Sequence, residues 1–174
     1  LRYEYALEAL GLNKFKLAEK TLRALQTTLP DNWLIPYSLA GAYLANNKTT
    51  DALKLLKQLH ADHPNQYAIT VQYARTLLRN KEAKVALTLL EPFQTRYKLD
   101  SIYLQLLSKS YGKSNLLYKA FTTRARLFAL NGLYAQAITQ LQIAIKHTKN
   151  TFEQGEIRRQ ITQYENALKE QASF

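Results

Sequence analysis

Along this 174-residue chain, apolar residues recur at steps of three and four with polar positions between them, a spacing that predicts helices from one end to the other. The helical pattern itself repeats. Ala18, Ala52 and Ala86 stand 34 residues apart; each is followed four residues on by Leu22, Leu56 or Leu90, and seven on by Leu25, Leu59 or Phe93. Twelve residues upstream, Ala6, Ala40 and Ala74 mark a preceding helix, continued three positions later by Ala9, Tyr43 and Leu77, and Pro30 and Pro64 keep the same 34-residue step. Each unit is therefore a helix pair. A small side chain on each helix lets the two backbones approach, and the large apolar residues fill the wedge against the next pair.

The phase then slips. Ala86 to Ala137 is 51 residues, one period of 34 plus 17, so an additional single helix is expected between the third and last signatures. The pattern predicts one helix over Ser101–Gly112, with Leu107 and Tyr111 at first-helix positions, and a longer one over Asn115–Leu130 that closes one unit and opens the next. From Phe152 to about Gln171, Ile157, Ile161, Tyr164 and Leu168 form one apolar stripe on an otherwise polar helix, as a terminal cap requires. The expected fold is all-α, with about ten antiparallel helices and no strands. It forms a single array over 1–174, with units at about 1–31, 32–65, 66–99, 100–131 and 115–150 and a capping helix at about 152–171. Pro36 is expected in a first helical turn, where its missing donor costs little, with Asp31 and Asn32 as N-caps.

Composition narrows the function classes. Hydrophobic residues at 47% and aromatics at 11% exclude a disordered basic tail, and the absence of cysteine excludes a disulfide framework, Cys-ligated zinc and a thiol nucleophile. The chain begins at Leu1 and contains no methionine, which leads to the expectation of an excised portion of a longer polypeptide. No apolar run is long enough to span a bilayer. His60 and His63 stand three residues apart, but Pro64 ends their helix and no third ligand is near in sequence, so surface histidines are expected rather than a metal site. No HExxH, P-loop, GxSxG or dinucleotide fingerprint occurs, and the carboxylates are scattered, so no catalytic constellation and no cofactor is expected in this chain. Charge is more informative: 24 Lys and Arg face 13 Asp and Glu for a net +11. From Ser101 through Phe152 there is no acid at all, against seven cations: Lys109, Lys113, Lys119, Arg124, Arg126, Lys146 and Lys149.

The small, aromatic and alanine positions at this period resemble the tetratricopeptide repeat (TPR) family, over nearly the whole chain. The best single stretch is Ala125, Phe128, Asn131, Gly132, Tyr134, Ala137, Leu141 and Ala144. Lys98 and Lys149 stand where the family usually has proline, and Pro36 where it usually has tryptophan. The resemblance implies a right-handed superhelix whose first helices line a concave groove, with the residue after each signature small residue facing it: Leu7, Gly41, Arg75, Lys109 and Arg126. Arg79 and Lys119 are neighbours on the same helix faces, and Tyr3 and Tyr37 occupy another groove position. The implied ligand is an extended or acidic protein segment, with arginine forks on carboxylates and tyrosines on apolar side chains. The alternative is a merely solvated basic face. The family's carboxylate clamp is not evident at matching positions. A third reading, nucleic acid or an anionic membrane surface, follows from the pI of about 9.8, but Tyr43, Tyr73, Tyr111 and Tyr134 fall mainly on helix-pairing positions rather than on a binding face.

The run from Lys119 to Lys146, followed by Thr151, Phe152, Ile157, Arg158 and Arg159, is similar to the last repeat and terminal helix of bacterial HExxH zinc metallopeptidases that carry C-terminal TPRs. Their best-known members are the β-barrel assembly-enhancing proteases of the Gram-negative periplasm. This resemblance implies a non-catalytic, periplasmic domain that docks a protease onto substrates or the outer-membrane assembly machinery, with zinc held in a domain outside this chain. His60 and His63 do not match the zinc motif. A free-standing TPR adaptor would share most of these positions, and a cytoplasmic location stays open with it. The residues preceding Leu1 separate the two: an HExxH helix and a signal peptide, or further repeats.

Overall fold

The computed structural model describes residues 1–173, which form ten α-helices, two short 3-10 helices and, among the described residues, no strand. The helices are α1 (Arg2–Gly11), α2 (Phe15–Thr28), α3 (Leu34–Ala45), α4 (Thr49–Asp62), α5 (Tyr67–Arg79), α6 (Ala83–Leu90), α7 (Ser101–Lys113), α8 (Leu117–Leu130), α9 (Tyr134–Ala144) and α10 (Thr151–Gln171). They fall into two compact units, Leu1–Asn80 with α1 to α5 and a second beginning at Lys81 with α6 to α10. Within each unit every helix packs on the next in sequence, and α1 also touches α3.

The small residues do what their spacing predicts. Ala6, Ala18, Ala40, Ala52, Ala74, Ala86, Ala125 and Ala137 are all fully buried, so no side chain holds the paired backbones apart. Ser108 and Ala120, buried at 4% exposure each, occupy the same two positions in α7 and α8, and the Ser108 hydroxyl donates to the Ala120 carbonyl at 3.0 Å. Helix α8 therefore carries two small contact residues, Ala120 toward α7 and Ala125 toward α9. Five residues apart, they lie roughly 140° apart around the helix, which is how one helix serves two pairs.

The turn inside each pair repeats with the same arithmetic. Asn13, Asn47, Lys81, Asn115 and Gly132 all take left-handed backbone, with φ between 58° and 71°, at intervals of 34, 34, 34 and 17 residues. Around four of them the chain closes the helix with paired bonds, such as Lys14 N–H to the Ala9 carbonyl at 2.8 Å and Asn13 N–H to the Leu10 carbonyl at 3.1 Å. The period is thus written in backbone conformation as well as in side-chain size. Asparagine and glycine tolerate this region; a lysine such as Lys81, at φ 65°, does so less readily. Lys81→Gly is expected to raise stability by about 0.5–1 kcal/mol, read as a higher urea midpoint.

Two boundary expectations are corrected. α8 starts at Leu117, not Asn115, and is no longer than α2, because Asn115 forms the left-handed turn. α3 starts at Leu34 with Trp33 as its cap residue, so Asp31 and Asn32 are not the N-cap; the Asn32 side chain instead accepts the Leu34 N–H at 3.1 Å. Pro36 does sit in the first turn, buried.

Among the described residues, the charged group buried as an anchor is a carboxylate. Glu19 on α2, 8% exposed, accepts Nζ of Lys48 at 2.7 and 2.9 Å and Nδ2 of Asn46 at 2.8 Å, and pairs with Arg23 at 3.3 Å. This ties α2 to the α3–α4 turn. Burial by itself pushes the carboxyl up, but the Lys48 and Asn46 hydrogen bonds and the charges of Lys48 and Arg23 together outweigh it and hold the group below its ordinary 4.5. A depressed carboxylate contributes stability above its unfolded pKa and loses it as pH falls through the folded value. Glu19→Gln is therefore expected to cost about 2 kcal/mol at neutral pH, and the gap to wild type in urea denaturation should close as pH drops below the ordinary carboxylate range.

Candidate functional site

The second unit holds a cleft of about 520 Å³ between α8 and α10, bounded by the Lys98–Leu99 turn and the start of α9. α8 contributes Arg126, Ala129 and Leu130, and α10 contributes Tyr164 and Ala167. None of the lining residues is acidic. The two helices are held at this spacing by the cluster beneath, in which Ala125, Ala137, Leu141, Ala144 and Ile157 are buried and Phe128, Ile161 and Tyr164 pack against it. Asn150 starts α10 by accepting the Phe152 and Glu153 N–H groups at 2.9 and 3.3 Å, which fixes where the cap helix begins.

Of the two cations that line the cleft, Lys98 and Arg126, the second is tied to its surroundings. A terminal nitrogen of the half-buried Arg126 reaches the Lys98 carbonyl at 3.5 Å. Burial pushes the Tyr164 hydroxyl pKa up, and the nearby Arg126 charge pulls against that rise. Tyr164 and Tyr134 form one aromatic wall, ring centres 5.9 Å apart. Leu99, 71% exposed, and Leu130 offer apolar surface beside the charge. An arginine fork flanked by aromatic and aliphatic surface suits a carboxylate next to an apolar side chain.

The residues expected to line a groove are divided between the two units. Tyr3, Tyr37, Arg75 and Arg79 belong to the first unit, and Lys109, Lys119 and Arg126 to the second. Arg75, Arg79 and Lys109 are exposed on α5 and α7. Tyr3 is half-buried and shares a 2.8 Å hydrogen bond with Ser38, joining α1 to α3. Tyr37 meets the Trp33 ring edge-on at 5.8 Å. Lys119 lays its ammonium over the Tyr111 ring at 5.5 Å, so that cation is engaged in packing. Of the seven, Arg126 alone lines the α8–α10 cleft. Its companions Lys98, Leu99, Tyr134 and Tyr164 were not expected there, because they come from a turn, a helix start and the cap, which no helix-face periodicity connects. The available signal was local: Lys98 and Leu99 stand where a repeat normally turns at proline.

The two imidazoles also part company. His60 faces α5, with Thr70 Oγ1 at 3.5 Å and the Tyr73 ring at 6.2 Å, and burial lowers its pKa, whereas His63 lies beside Trp33 at 6.4 Å.

Residues 43–110 match the tetratricopeptide repeat family model. No curated protein matches the chain. Solved structures do. The MamA protein spanning 41-end from Desulfovibrio magneticus RS-1 superposes with a TM-score of 0.71 at 16% identity, covering 98% of this chain and 95% of that one. A thermophilic TPR protein of Thermus thermophilus gives 0.56 at 15% identity, covering 96% and 97%. At these identities the likeness is one of fold: an all-α, TPR-like arrangement of helix pairs.

Proposed function

We propose that this chain is a protein-interaction domain of the TPR type, and that the α8–α10 cleft of its second unit holds an extended partner segment carrying an acidic residue beside an apolar one. The observation that carries this is the composition of the cleft: Arg126 and Lys98 among Leu99, Leu130, Tyr134 and Tyr164, with no acid in the lining. The site is open and shallow enough for a chain in passing, and its polar groups are few and cationic, which favours specificity by charge position over deep burial. A direct test is fluorescence-anisotropy titration with a capped peptide alternating aspartate and leucine. Saturable binding is expected, with none for the lysine–leucine counterpart; the reverse preference would refute the assignment.

At the level of the whole protein, we place this domain as the non-catalytic docking part of a periplasmic HExxH zinc metallopeptidase, with partners among unfolded or outer-membrane assembly proteins. The similarity of Lys119–Lys146 and of the Thr151–Arg159 junction to such C-terminal repeats supports this. Zinc and catalysis would then belong to the protease domain. A free-standing TPR adaptor fits the same fold equally well, supported by structural neighbours whose own chains are covered almost completely.

A further inference from the structure

The first unit contains a pocket of the opposite character. A cavity of about 340 Å³ lies where the α2–α3 turn meets the end of α4, with Leu59 and Pro36 in its lining, the Trp33 ring on one wall, and Asp31 and Asp62 contributing carboxylates. No lysine or arginine lines it, although such residues outnumber acids 24 to 13 in the chain. Neither carboxylate has a cationic partner among the described residues: Asp62 accepts only the Gln58 amide, at 3.0 and 3.2 Å, and Asp31 accepts nothing.

The aromatic wall is equally unclaimed. Tyr43, Tyr97, Tyr111 and Phe121 each carry a lysine or arginine of this chain over the ring face, at 5.5 to 5.9 Å. Trp33 is the chain's one tryptophan and the side chain type with the strongest attraction for a cation, and it carries none among the described residues. Its ring is instead held in place, by the edge of Tyr37 at 5.8 Å and by His63 at 6.4 Å. The turn that carries it is fixed by Asn32, whose side chain accepts the Leu34 N–H and whose carbonyl accepts the Ile35 N–H at 3.1 Å each. A rigid aromatic face, two unpaired carboxylates and an apolar floor form a site with little to reorganise on binding.

We propose that this pocket receives a lysine or arginine side chain from a partner protein. The aliphatic stem would lie on Leu59 and Pro36, the charged head against the Trp33 face, and its N–H groups toward Asp31 and Asp62. The volume suits one long side chain and not a folded segment. The chain's net positive charge does not forbid this. At physiological ionic strength charges are screened beyond about 8 Å, so the pocket's own carboxylates dominate the field a bound cation feels. The site is independent of the α8–α10 cleft, sits in the other unit and selects the opposite charge.

Because Trp33 is the chain's one tryptophan, its emission reports on this pocket directly. Titrating the full chain at physiological salt with a capped glycine-flanked arginine peptide, and with its lysine counterpart, should give a saturable change in Trp33 fluorescence. The citrulline and acetyl-lysine analogues, which keep the shape and lose the charge, should give none. In the Asp31→Asn/Asp62→Asn double variant the affinity should fall at least about tenfold. Both positions are exposed, and an unchanged circular dichroism spectrum would show that the fold is retained. No saturable change up to the solubility limit of the peptide, equal binding of the uncharged analogues, or unaltered affinity in the double variant would each overturn the proposal.

Discussion

Reversing the charge at Arg126 is expected to weaken binding of an aspartate–leucine peptide by between about thirty- and a thousandfold, the span of roughly 2–4 kcal/mol that removing one side of a hydrogen-bonded charge pair costs. The size follows from where the guanidinium stands. It is half-buried, approached by the Lys98 carbonyl and close enough to Tyr164 for its charge to act on that hydroxyl, so it is screened less than a fully exposed cation. Arg126→Glu places a like charge where the peptide carboxylate must sit. Arg126→Gln, which keeps much of the length and some hydrogen bonding, should fall between the two. Lys54→Glu, an exposed change on α4 in the other unit, should leave affinity within twofold of wild type apart from the general salt-dependent term. Isothermal titration at two salt concentrations separates these contributions. Equal affinity of Arg126→Glu and wild type would remove the cleft as the binding site.

Leu141→Ala is expected to cost the second unit about 3–4 kcal/mol, measured by urea denaturation followed by circular dichroism. Leu141 is fully buried among Ala125, Ala137, Ala144 and Ile157, where α8, α9 and α10 converge. Besides the alanines, the larger Phe128, Ile161 and Tyr164 pack against this cluster and can shift partway into the space, which puts the cost in the middle of the usual range. A loss under about 1 kcal/mol would mean that α10 closes down on the gap. The same cluster sets the α8–α10 spacing, so the variant should also weaken peptide binding at temperatures where it remains folded.

Much of the fold was legible because the repeat acts through residue size. Ala6, Ala40 and Ala74, each twelve residues before Ala18, Ala52 and Ala86, permit close helix approach, and their burial at 0% exposure follows from the same fact that makes them visible in the sequence. The half-step after Ala86 was legible for the same reason, since 17 residues is half of one period and asks one helix to face both ways. The left-handed turns at Asn13, Asn47, Lys81, Asn115 and Gly132 were equally periodic but went unread. Their chemistry is spread over three residue types, and a lysine in the series hides it. Similarly, Trp33 has no place in the 34-residue pattern, and the fold makes it the cap position of α3 and a wall of a pocket.

The candidate surface was less legible, for a physical reason. Helix-face periodicity identifies which residues share one side of one helix, and it ranked Arg75, Lys109 and Arg126 together. Clefts form between elements that are distant in sequence. Arg126 shares its cleft with Lys98, 28 residues earlier, and Tyr164, 38 later, and Trp33 shares its pocket with Asp62 and His63 at the end of the following helix. The sequence by itself determined the helices, their pairing, the phase slip and the excess of positive charge, because all of these depend on local spacing and composition. Only the tertiary structure decided which charges remain available. It committed Lys48 and Arg23 to Glu19 and Lys119 to the ring of Tyr111, while leaving Asp31, Asp62 and the face of Trp33 without a cation among the described residues. Whether a charge is used inside the fold or presented to a partner depends on what packs beside it, and that is set by contacts between helices.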